Sequence, residues 1–519
     1  MNTKLLRQRI LDLAIRGKLV LQDSNDEPAS VLLERIRAEK GETRRDTSKN
    51  AIDESNFEQL PKGWARATLS SLATFSGGKT PSGNNPLFWN GDVNWVTSKD
   101  MKQKYISTTQ KKMTELGAQQ MRTFPPNTLL MVVRSGILKH NLPIAILTTE
   151  STINQDIKAI SLHVNEMSGF VYIFLSAMSD VILKKYHKDG TTVDSIKFEN
   201  LKSISVPVPP LAEQNRIVGK VESMFELIDE IEQNESDIQS AIVDIRSKIL
   251  SLAISGKLIP QDPSDEPASA LLERMRAEKN ALARAGKSKK GNNDSVIFRR
   301  DNSHYEKLGG TERLIDGEIP FEIPESWAWA RLGSLGQMSR GSGIRRSDIA
   351  AHGAPCVRYG EMYTTYGAAI REAASFVDEG LALRSKLAHA GDILFALTGE
   401  TKEDIGKAAA YMGAEAAAVG GDLAVLSGHG MDPMFLSYAM GSPYAAGRKA
   451  SLATGDMIVH LSAARLGSVL VPVPPLAEQA RIAGRVGEAL GALGLAGGEA
   501  PLASPPPRRR STSAPWRSS

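Results

Sequence analysis

The chain has 519 residues, of which 41% are hydrophobic and 24% charged, and its formal net charge is +4. This length predicts several domains with true hydrophobic cores, while the mild charge permits nucleic-acid binding without establishing it. The single cysteine, Cys356, excludes a disulfide framework and a thiolate metal site, and fits a reducing cytosol.

The first segment, residues 1–20, is amphipathic, with Arg and Asp among its leucines. It lacks the apolar region of a secretory signal. The most apolar run, from Phe170 to Leu183, contains Ser and Asp and is too short to span a bilayer. We therefore predict a buried helix there and a cytoplasmic protein.

Internal repeats organise the chain. Residues 10–40 recur at 249–279, and VPVPPLAEQNRI at 206–217 recurs as VPVPPLAEQARI at 471–482. The segments between these repeats share only short motifs, such as INQDIKAI and VGGDLAVL. This contrast indicates that the repeated segments serve assembly and that the variable domains carry specificity.

The repeats predict an α+β fold with two variable domains and a pseudo-twofold internal repeat. The predicted segments are a repeated N-terminal helical segment (1–40), a linker (41–59), the first variable domain (60–205), a central region (206–279), a second linker (280–318), the second variable domain (319–470), a shortened distal helix (471–496) and a disordered tail (497–519). Both linkers are polar and lack periodicity, so we expect mobile loops. Apolar runs at 128–133 and 392–397 predict buried strands, and a helix is expected near 168–185.

A long helix is predicted at residues 211–254, because apolar residues alternate at steps of four and three along this stretch. Such a helix is about 65 Å long, which suits a spacer better than the alternative, a core helix of an all-α bundle. A shorter stripe follows the second VPVPPLAEQ motif. The predicted coiled-coil seam consists of Ile217, Val221, Met224, Ile228, Ile231, Ile238, Ile242, Ile245, Ile249, Leu252, Ile482, Val486, Leu490 and Leu493.

No catalytic constellation is evident in the sequence. Residues 85–88, Asn-Pro-Leu-Phe, lack the second proline of a methyltransferase base-binding corner. No HExxH or other metal spacing and no nuclease-like acidic cluster is present, so we predict neither a catalytic residue nor a metal site. Cys356 is interpreted as a small core residue.

Polar and basic loops suited to DNA recur at matching places in the two variable domains. In the first domain SGGKTPSGNN (76–85) offers glycines for close approach to phosphate, and Lys99, Lys102 and Lys104 follow it. The candidate DNA-binding residues are Lys79, Thr80, Ser82, Lys99, Lys102, Arg134, Lys139, Asn141, Asn154, Gln155, Arg340, Arg345, Arg346, Arg358, Thr398 and Lys402. Asn154 and Gln155 carry amides that can pair with adenine edges, and Arg commonly pairs with guanine.

For any one of these residues a solvated loop charge is an equally valid interpretation. Their recurrence in both domains favours DNA binding. Trp64 and Trp327 open the two domains at equivalent positions and are interpreted as core anchors rather than base-stacking residues.

With these motifs in place, the chain resembles the specificity subunit of type I restriction–modification systems. The resemblance depends on the duplicated W-x4-L opening (Trp64/Leu69 and Trp327/Leu332), the GGKTPS loop (77–82) and the two VPVPPLAEQ segments that lead into helices. It covers nearly the whole chain except about the last twenty residues. The short, glycine-interrupted second helix and the Pro/Arg tail depart from the family pattern.

The resemblance implies two target-recognition domains, each reading one half of a bipartite DNA target. It also implies that the two repeated helices pack as an antiparallel coiled coil, set the spacing and dock two modification subunits. The family's specificity subunit has no catalytic activity and no cofactor of its own. Adenine-N6 methylation with S-adenosylmethionine, and ATP- and Mg-dependent translocation and cleavage, are expected on the modification and restriction subunits. The rival interpretations are a coiled-coil scaffold without a DNA role and a self-sufficient modification enzyme.

Overall fold

The computed structural model describes residues 2–40, 60–83, 85–190, 193–284 and 295–494. These residues form two compact units, Met1–Ser236 and Asp237–Ser519, which divide within one continuous helix, Leu211–Ile254. The predicted linker at 41–59 and the predicted tail at 497–519 lie outside the described residues. The predicted boundaries of the variable domains stay a prediction.

The first unit combines helices with four small sheets. Its helices are Thr3–Ile15, Ala29–Lys40, Leu69–Leu72, Glu115–Ala118, Ser168–Ala177, Ser179–Tyr186, Phe198–Leu201 and the first part of Leu211–Ile254. Its main sheet has the strand order Ala73–Gly77, Ile157–Leu162, Leu129–Val132, Ile144–Leu147, Tyr105–Ile106. A second sheet has the order Lys112–Met113, Trp89–Val96, Ser151–Ile153, and two strand pairs join Ala65–Thr68 to Ser205–Val208 and His187–Lys188 to Ser195–Ile196.

The second unit repeats this arrangement. Its helices are the end of Leu211–Ile254, Ala268–Arg284, Leu332–Leu335, Tyr359–Thr364, Glu379–Arg384, Pro433–Met440, Pro443–Leu452, Ala463–Gly467 and Leu476–Ala492. Its main sheet runs Gln337–Arg340, Leu423–Ser427, Ile393–Ala396, Ala408–Tyr411, Ala369–Ile370. Its second sheet runs Ile349–Ala350, Ser375–Val377, Ala354–Val357, Ala417–Val419, Leu387–Ala388, and strand pairs join Ala328–Arg331 to Leu470–Val473 and Thr398–Gly399 to Val459–His460.

The two main sheets have the same strand order and the same directions, with one parallel pair at the far edge of each. Their central strands, Leu129–Val132 and Ile393–Ala396, are buried at every position, as the apolar runs predicted. The α+β class and the internal repeat are therefore confirmed. The helix predicted near 168–185 is also present, as two consecutive helices bent at Met178.

The long helix begins and ends where the sequence predicted, at Leu211 and Ile254. Its seam residues Ile217, Val221 and Ile228 are buried in the core of the first unit, whereas Ile231, Ile238 and Ile245 are exposed. In the second unit Ile482, Val486 and Leu490 of the distal helix are buried in the core, where that helix packs against Pro433–Met440. These buried residues thus dock each helix on its own unit. Antiparallel pairing of the two helices stays a prediction. The remaining seam residues, which are partly exposed, are Met224, Ile242, Ile249, Leu252 and Leu493.

The second linker was predicted wrongly in part. Within residues 280–318 the structure has the end of a helix and a three-stranded antiparallel sheet of Val296–Arg300, Ser303–Leu308 and Thr311–Leu314. The buried Glu306 anchors this sheet by accepting hydrogen bonds from Arg313 and Arg331. Burial by itself would raise the pKa of Glu306, but hydrogen bonds from Arg331, Ser295 and Arg313 outweigh it and lower the pKa to about 2.

No single helix among the described residues is long and apolar enough to cross a membrane. The helical segments Asn165–Ala177 and Ser179–Tyr186, with a bend of 62° between them, reach the required length and composition only when they are taken together. Phe170, Phe174 and Ile182 of this pair are buried in the core of the first unit. The predicted buried helix is thus present at this position.

A repeated junction holds each unit together. In the first unit Trp64 donates from Nε1 to Oε2 of Glu213 at 3.0 Å, and Arg216 pairs with both carboxylate oxygens of Asp26 at 2.5 and 3.2 Å. Asp26 belongs to the repeated N-terminal segment (1–40), and Trp64 opens the first variable domain. Glu213 and Arg216 lie in the VPVPPLAEQNRI motif. We call these four residues the first junction.

The second junction has the same chemistry. Trp327 donates to Glu478 at 2.9 Å, and Arg481 pairs with Asp265 at 2.5 and 3.2 Å. Both tryptophans are buried and pack edge-to-face on a phenylalanine, so their prediction as core anchors is confirmed. The sequence segments that recur are therefore the ones that meet in the two junctions.

Lys449 is buried in the second unit and donates from Nζ to the carbonyl oxygens of Gly406 and Met440 at 2.7 and 2.8 Å. Burial lowers the pKa of this ammonium group to about 7. The unfolded chain, with an ordinary lysine pKa near 10.5, binds more protons than the folded chain between these values. The stability of the second unit should therefore rise as the pH increases from about 7 towards 10.

Lys449→Met is expected to flatten this rise by at most about 1.4 kcal/mol per pH unit, the value for one proton. The check is the free energy of urea unfolding between pH 7 and 9.5 for both proteins. Lys407, whose pKa burial also lowers, to about 8, remains in the variant and contributes the residual slope. Equal slopes in the two proteins would contradict the prediction.

Candidate nucleic-acid interface

In each unit the ends of two adjacent strands of the main sheet meet a strand of a separate two-stranded pair, and we call this place the edge of the main sheet. In the first unit Val133 donates its N–H to Asp156 O at 2.8 Å, and Ile196 donates to Val133 O at 2.9 Å. In the second unit Leu397 donates to Asp422 O at 2.8 Å, and Leu461 donates to Leu397 O at 2.9 Å. The two units therefore have equivalent backbone positions at this edge.

The side chains at the edge differ in chemistry. In the first unit Arg134 faces Ser195, and its Nε lies 3.5 Å from Oδ1 of Asp156. In the second unit Thr398 faces His460 and lies 3.4 Å from Asp422 Oδ1. We call Arg134, Asp156 and Ser195 the first strand-end cluster, and Thr398, Asp422 and His460 the second.

A glycine brings the predicted GGKTPS loop to this edge. A Cβ at Gly78 would clash with the carbonyl oxygens of Ile153 and Asn154, and Lys79 donates its N–H to Ile153 O at 3.0 Å. In the second unit a Cβ at Gly341 would clash with the carbonyl of Gly420 in the same way. Only glycine permits this backbone approach, which fixes the loop beside the strand-end cluster.

The loop side chains of the first unit are largely exposed. Lys79, Thr80, Ser82 and Gln155 face solvent, and the hydroxyl of Thr80 hydrogen-bonds the amide of Gln155. The loop edge thus presents a cation, a hydroxyl and an amide together, which are groups that contact phosphates and base edges.

The segment after Arg134 forms a short 3-10 helix, Gly136–Lys139, which leaves Lys139 and Asn141 exposed. Ser135 at its start donates its N–H to Asp194 O at 3.0 Å. This hydrogen bond joins the segment to Asp194, which directly precedes Ser195 of the first strand-end cluster.

The prediction that Asn154 pairs with an adenine edge is wrong. Its side chain is buried, donates to Asp156 Oδ2 at 3.3 Å and accepts from the Asp156 N–H at 3.2 Å. An amide held in this way shapes the turn and leaves no edge for an adenine. Gln155, one residue later, stays exposed.

Two further cations have partners within the protein. Lys104 pairs with Glu222 of the long helix at 2.5 Å, and Arg358 pairs with the buried Glu361 at 2.7 Å. Lys104, which precedes the outer strand Tyr105–Ile106 of the main sheet, thus attaches that strand to the long helix rather than facing DNA. By contrast, Lys99 and Lys102 are exposed on another loop.

In the second unit Arg340, Arg345, Arg346 and Lys402 are exposed. Arg340 donates from Nε to Gly421 O at 2.6 Å, and one of its terminal nitrogens lies 3.8 Å from Asp422. Arg340 therefore extends along the second strand-end cluster. The partly exposed Thr398 belongs to the same cluster, and so do two residues that sequence reasoning missed, Asp422 and His460. Asp422 was visible only as the aspartate shared by INQDIKAI and VGGDLAVL.

One group of side chains near the first cluster could hold a metal ion. Ligand atoms of His187, Asp189 and Asp194 all lie within 4.8 Å of one another. The carboxylates flank different ring nitrogens of His187, at 3.4 and 3.5 Å, so a single ion could take only one of those nitrogens. The arrangement serves equally as a polar group beside the strand pair His187–Lys188 and Ser195–Ile196.

Cys356 is buried, and burial raises the pKa of its thiol to about 12. A thiol with so high a pKa is a poor nucleophile at neutral pH. This agrees with its interpretation as a core residue.

Comparison with known protein families gives a match that includes part of this candidate interface. Residues 61–239, which include the first strand-end cluster and its loop, match the family described as type I restriction modification DNA specificity domain. This part of the chain is therefore similar to a type I DNA specificity domain. The matched part covers the first junction tryptophan, the main sheet of the first unit and the start of the long helix.

Relatives with this domain extend the similarity beyond residue 239. The EcoAI specificity subunit of Escherichia coli is 29% identical over 394 residues, which cover 64% of this chain and 62% of that subunit. The MjaIX specificity subunit of Methanocaldococcus jannaschii is 24% identical over 364 residues, covering 68% and 70%. The matched part spans less than two thirds of the EcoAI subunit.

A solved structure supports the fold. It concerns complex assembly and conformational transition of the type I R-M system, and matches 84% of this chain and 92% of its own with a TM-score of 0.52. The sequence identity over this match is 16%, so the likeness concerns the fold alone.

Proposed function

We propose that this chain is the DNA-recognition subunit of a type I restriction–modification complex, and that each unit reads one half of a bipartite target. The observation that carries the proposal is the duplicated strand-end cluster. Both units have the same strand order and the same glycine-fixed loop, but different exposed side chains at the same edge. One backbone frame with two sets of side chains suits two different half-sites.

The chemistry of these side chains fits the task. Exposed Lys79 and Arg134 in the first unit, and Arg340 and Arg345 in the second, can neutralise phosphates and set the register on DNA. Hydroxyl and amide groups beside them, such as those of Thr80, Gln155 and Thr398, can contact base edges.

The partners follow from the same proposal. The helices that carry the junctions would set the spacing between half-sites and dock two methyltransferase subunits, and restriction subunits would join the complex. This chain would supply recognition in the cytoplasm without catalysis. S-adenosylmethionine, ATP and Mg would bind to the partner subunits.

Selection from a random duplex library, with the full chain alone and with its co-expressed modification subunits, tests the proposal. Enrichment of a split sequence with a fixed gap is the expected result. A coiled-coil scaffold without a DNA role would enrich no sequence in either arm.

Replacing Arg134 or Lys79 with Ala is expected to weaken binding to the selected DNA because each change removes an exposed cation from the interface. Loss of one phosphate contact should also reduce the slope of log K against log salt by about one. The measurement is fluorescence anisotropy at several salt concentrations. Lys220→Ala, which removes an exposed cation from the long helix, is the matched control and should leave the slope unchanged. Equal slopes for all three variants and the original chain would contradict the assignment of the interface.

A further inference from the structure

A glycine lies at matching positions beside the two strand-end clusters. A Cβ at Gly190 would clash with the carbonyl of Val193, and a Cβ at Gly455 would clash with the carbonyl of Ile458, three residues on in each case. Gly455 has a φ of +99°, which side chains rarely adopt. In the second unit, the backbones of Thr454 and His460 close a hairpin by exchanging hydrogen bonds at 2.9 and 2.8 Å.

The tip of the second hairpin is apolar and strongly exposed. Met457 is 91% exposed and Ile458 is 59% exposed, whereas Val459, the next residue, is buried. The polar Asp456 precedes them. Single exposed apolar residues are common, but two adjacent ones at the end of a rigid turn are a feature of binding surfaces.

The tip is continuous with the second strand-end cluster. His460, two residues beyond Ile458, pairs with Thr398 along the strand, and their side chains lie 3.4 Å apart. Thr398 in turn lies 3.4 Å from Oδ1 of Asp422, and the Arg340 guanidinium lies 3.8 Å from the same oxygen. An apolar tip thus stands next to a hydroxyl, an imidazole and an exposed cation.

We propose that Met457 and Ile458 contact the C5-methyl group of a thymine in the major groove, and so determine part of the second half-site. This inference rests on the proposed function. The thymine methyl is the apolar group that base edges present in the major groove, and aliphatic side chains recognise it by contact. The polar neighbours of the tip suit the surrounding base edges and phosphates better than an apolar protein surface.

The corresponding hairpin of the first unit has Val193 at the position of Ile458. The two matching positions therefore carry different side chains. This difference makes the tip a place where the two half-sites can diverge.

The test begins with the sequence that the full chain selects from the random library in complex with its modification subunits. Each thymine of the second half-site is then replaced by deoxyuridine, which removes the methyl group alone. One position is expected to lose about fourfold in affinity, the value for one buried methyl group. Deoxyuridine in the first half-site, read by the other unit, is the control for general effects on the duplex.

The double variant Met457→Ser/Ile458→Ser should bind the thymine duplex about as weakly as the original chain binds the deoxyuridine duplex, and should no longer distinguish the two. Such a double-mutant cycle isolates the contact between tip and methyl group. Leu383→Ser, at a residue 82% exposed on the helix Glu379–Arg384, is the matched control and should keep the discrimination. Equal thermal unfolding of all variants would establish that these exposed positions do not alter the fold.

Three outcomes would overturn the inference. These are a deoxyuridine penalty that persists in the double variant, a second half-site without thymine, and a double variant that loses partner docking but keeps its DNA preference. The last would assign the tip to a protein partner. Failure of the original chain to enrich any sequence would overturn the proposed function as well, and so differs from the other outcomes.

Discussion

Replacing Trp64 with alanine is expected to lower the free energy of unfolding of the first unit by about 3–5 kcal/mol, the usual cost of truncating a buried tryptophan. The indole fills the first junction, packs edge-to-face on Phe170 with ring centroids 6.0 Å apart, and donates its N–H to Glu213. Glu213 is buried, and burial raises the pKa of its carboxyl group. Loss of the indole would therefore leave both a cavity and a buried acceptor without its donor.

Urea denaturation of the full chain measures this effect. Glu213→Gln is the informative companion because it keeps an acceptor for the indole N–H in a side chain of similar shape, so its effect should be less than about 1.5 kcal/mol. Trp327→Ala removes the equivalent side chain from the second junction and should be similarly costly there. A decrease of less than about 1 kcal/mol in the free energy of unfolding for Trp64→Ala would show that the first junction does not hold the N-terminal segment (1–40) to the first variable domain.

Exchanging residues 60–205 for the corresponding segment of another specificity subunit is expected to change one half-site and leave the other half-site and the gap unchanged. The two ends of the exchanged segment meet in the strand pair Ala65–Thr68 and Ser205–Val208, and residues 206–208 of that pair belong to the repeated VPVPPLAEQ motif, which stays in place. Library selection or methylome sequencing of a host that carries the chimera measures the result.

The reciprocal exchange of residues 319–470 is the control and should change only the other half-site. Its ends meet in the pair Ala328–Arg331 and Leu470–Val473. A chimera that recognised the original bipartite sequence would refute the assignment of one variable domain to one half-site.

The long helix was predictable from the sequence because its signals are local. A 3.5-residue period fixes the apolar stripe, Pro210 precedes the helix, and no glycine interrupts it after Gly219. What the stripe packs against was not predictable. The a/d spacing suits a partner helix and a domain core equally well, and at Ile217, Val221 and Ile482 the structure has a core.

The three-stranded sheet within 280–318 had local signals that were overlooked. Asp301-Asn302 and Gly309-Gly310 are two-residue turns between short strands, and all four residues have positive φ. Such turns are strong hairpin signals. The strands of this segment pack on the rest of the unit through few apolar residues and through the ion pairs of Glu306. The segment is therefore highly polar, and this polarity concealed the two turns.

The candidate interface could be outlined from the sequence as a set of loops but not residue by residue. Matching positions in the two domains identified the GGKTPS loop and the segment after Arg134, and the structure brings both to one sheet edge. The burial of Asn154 and the pairing of Lys104 with Glu222 depend on contacts between residues far apart in sequence, which no local pattern reports. The aspartates of the clusters were visible only as the shared position of INQDIKAI and VGGDLAVL, because a search for cations and amides that contact DNA does not select an acidic residue.

The glycine that holds each loop against its sheet has a practical consequence for engineering new sequence preferences. Any larger residue at Gly78 or Gly341 would push the loop away from its support, so mutant libraries that vary these positions would be filled with misfolded members. Randomising Lys79, Thr80 and Gln155 while both glycines stay constant would instead sample new contact chemistry on an unchanged backbone.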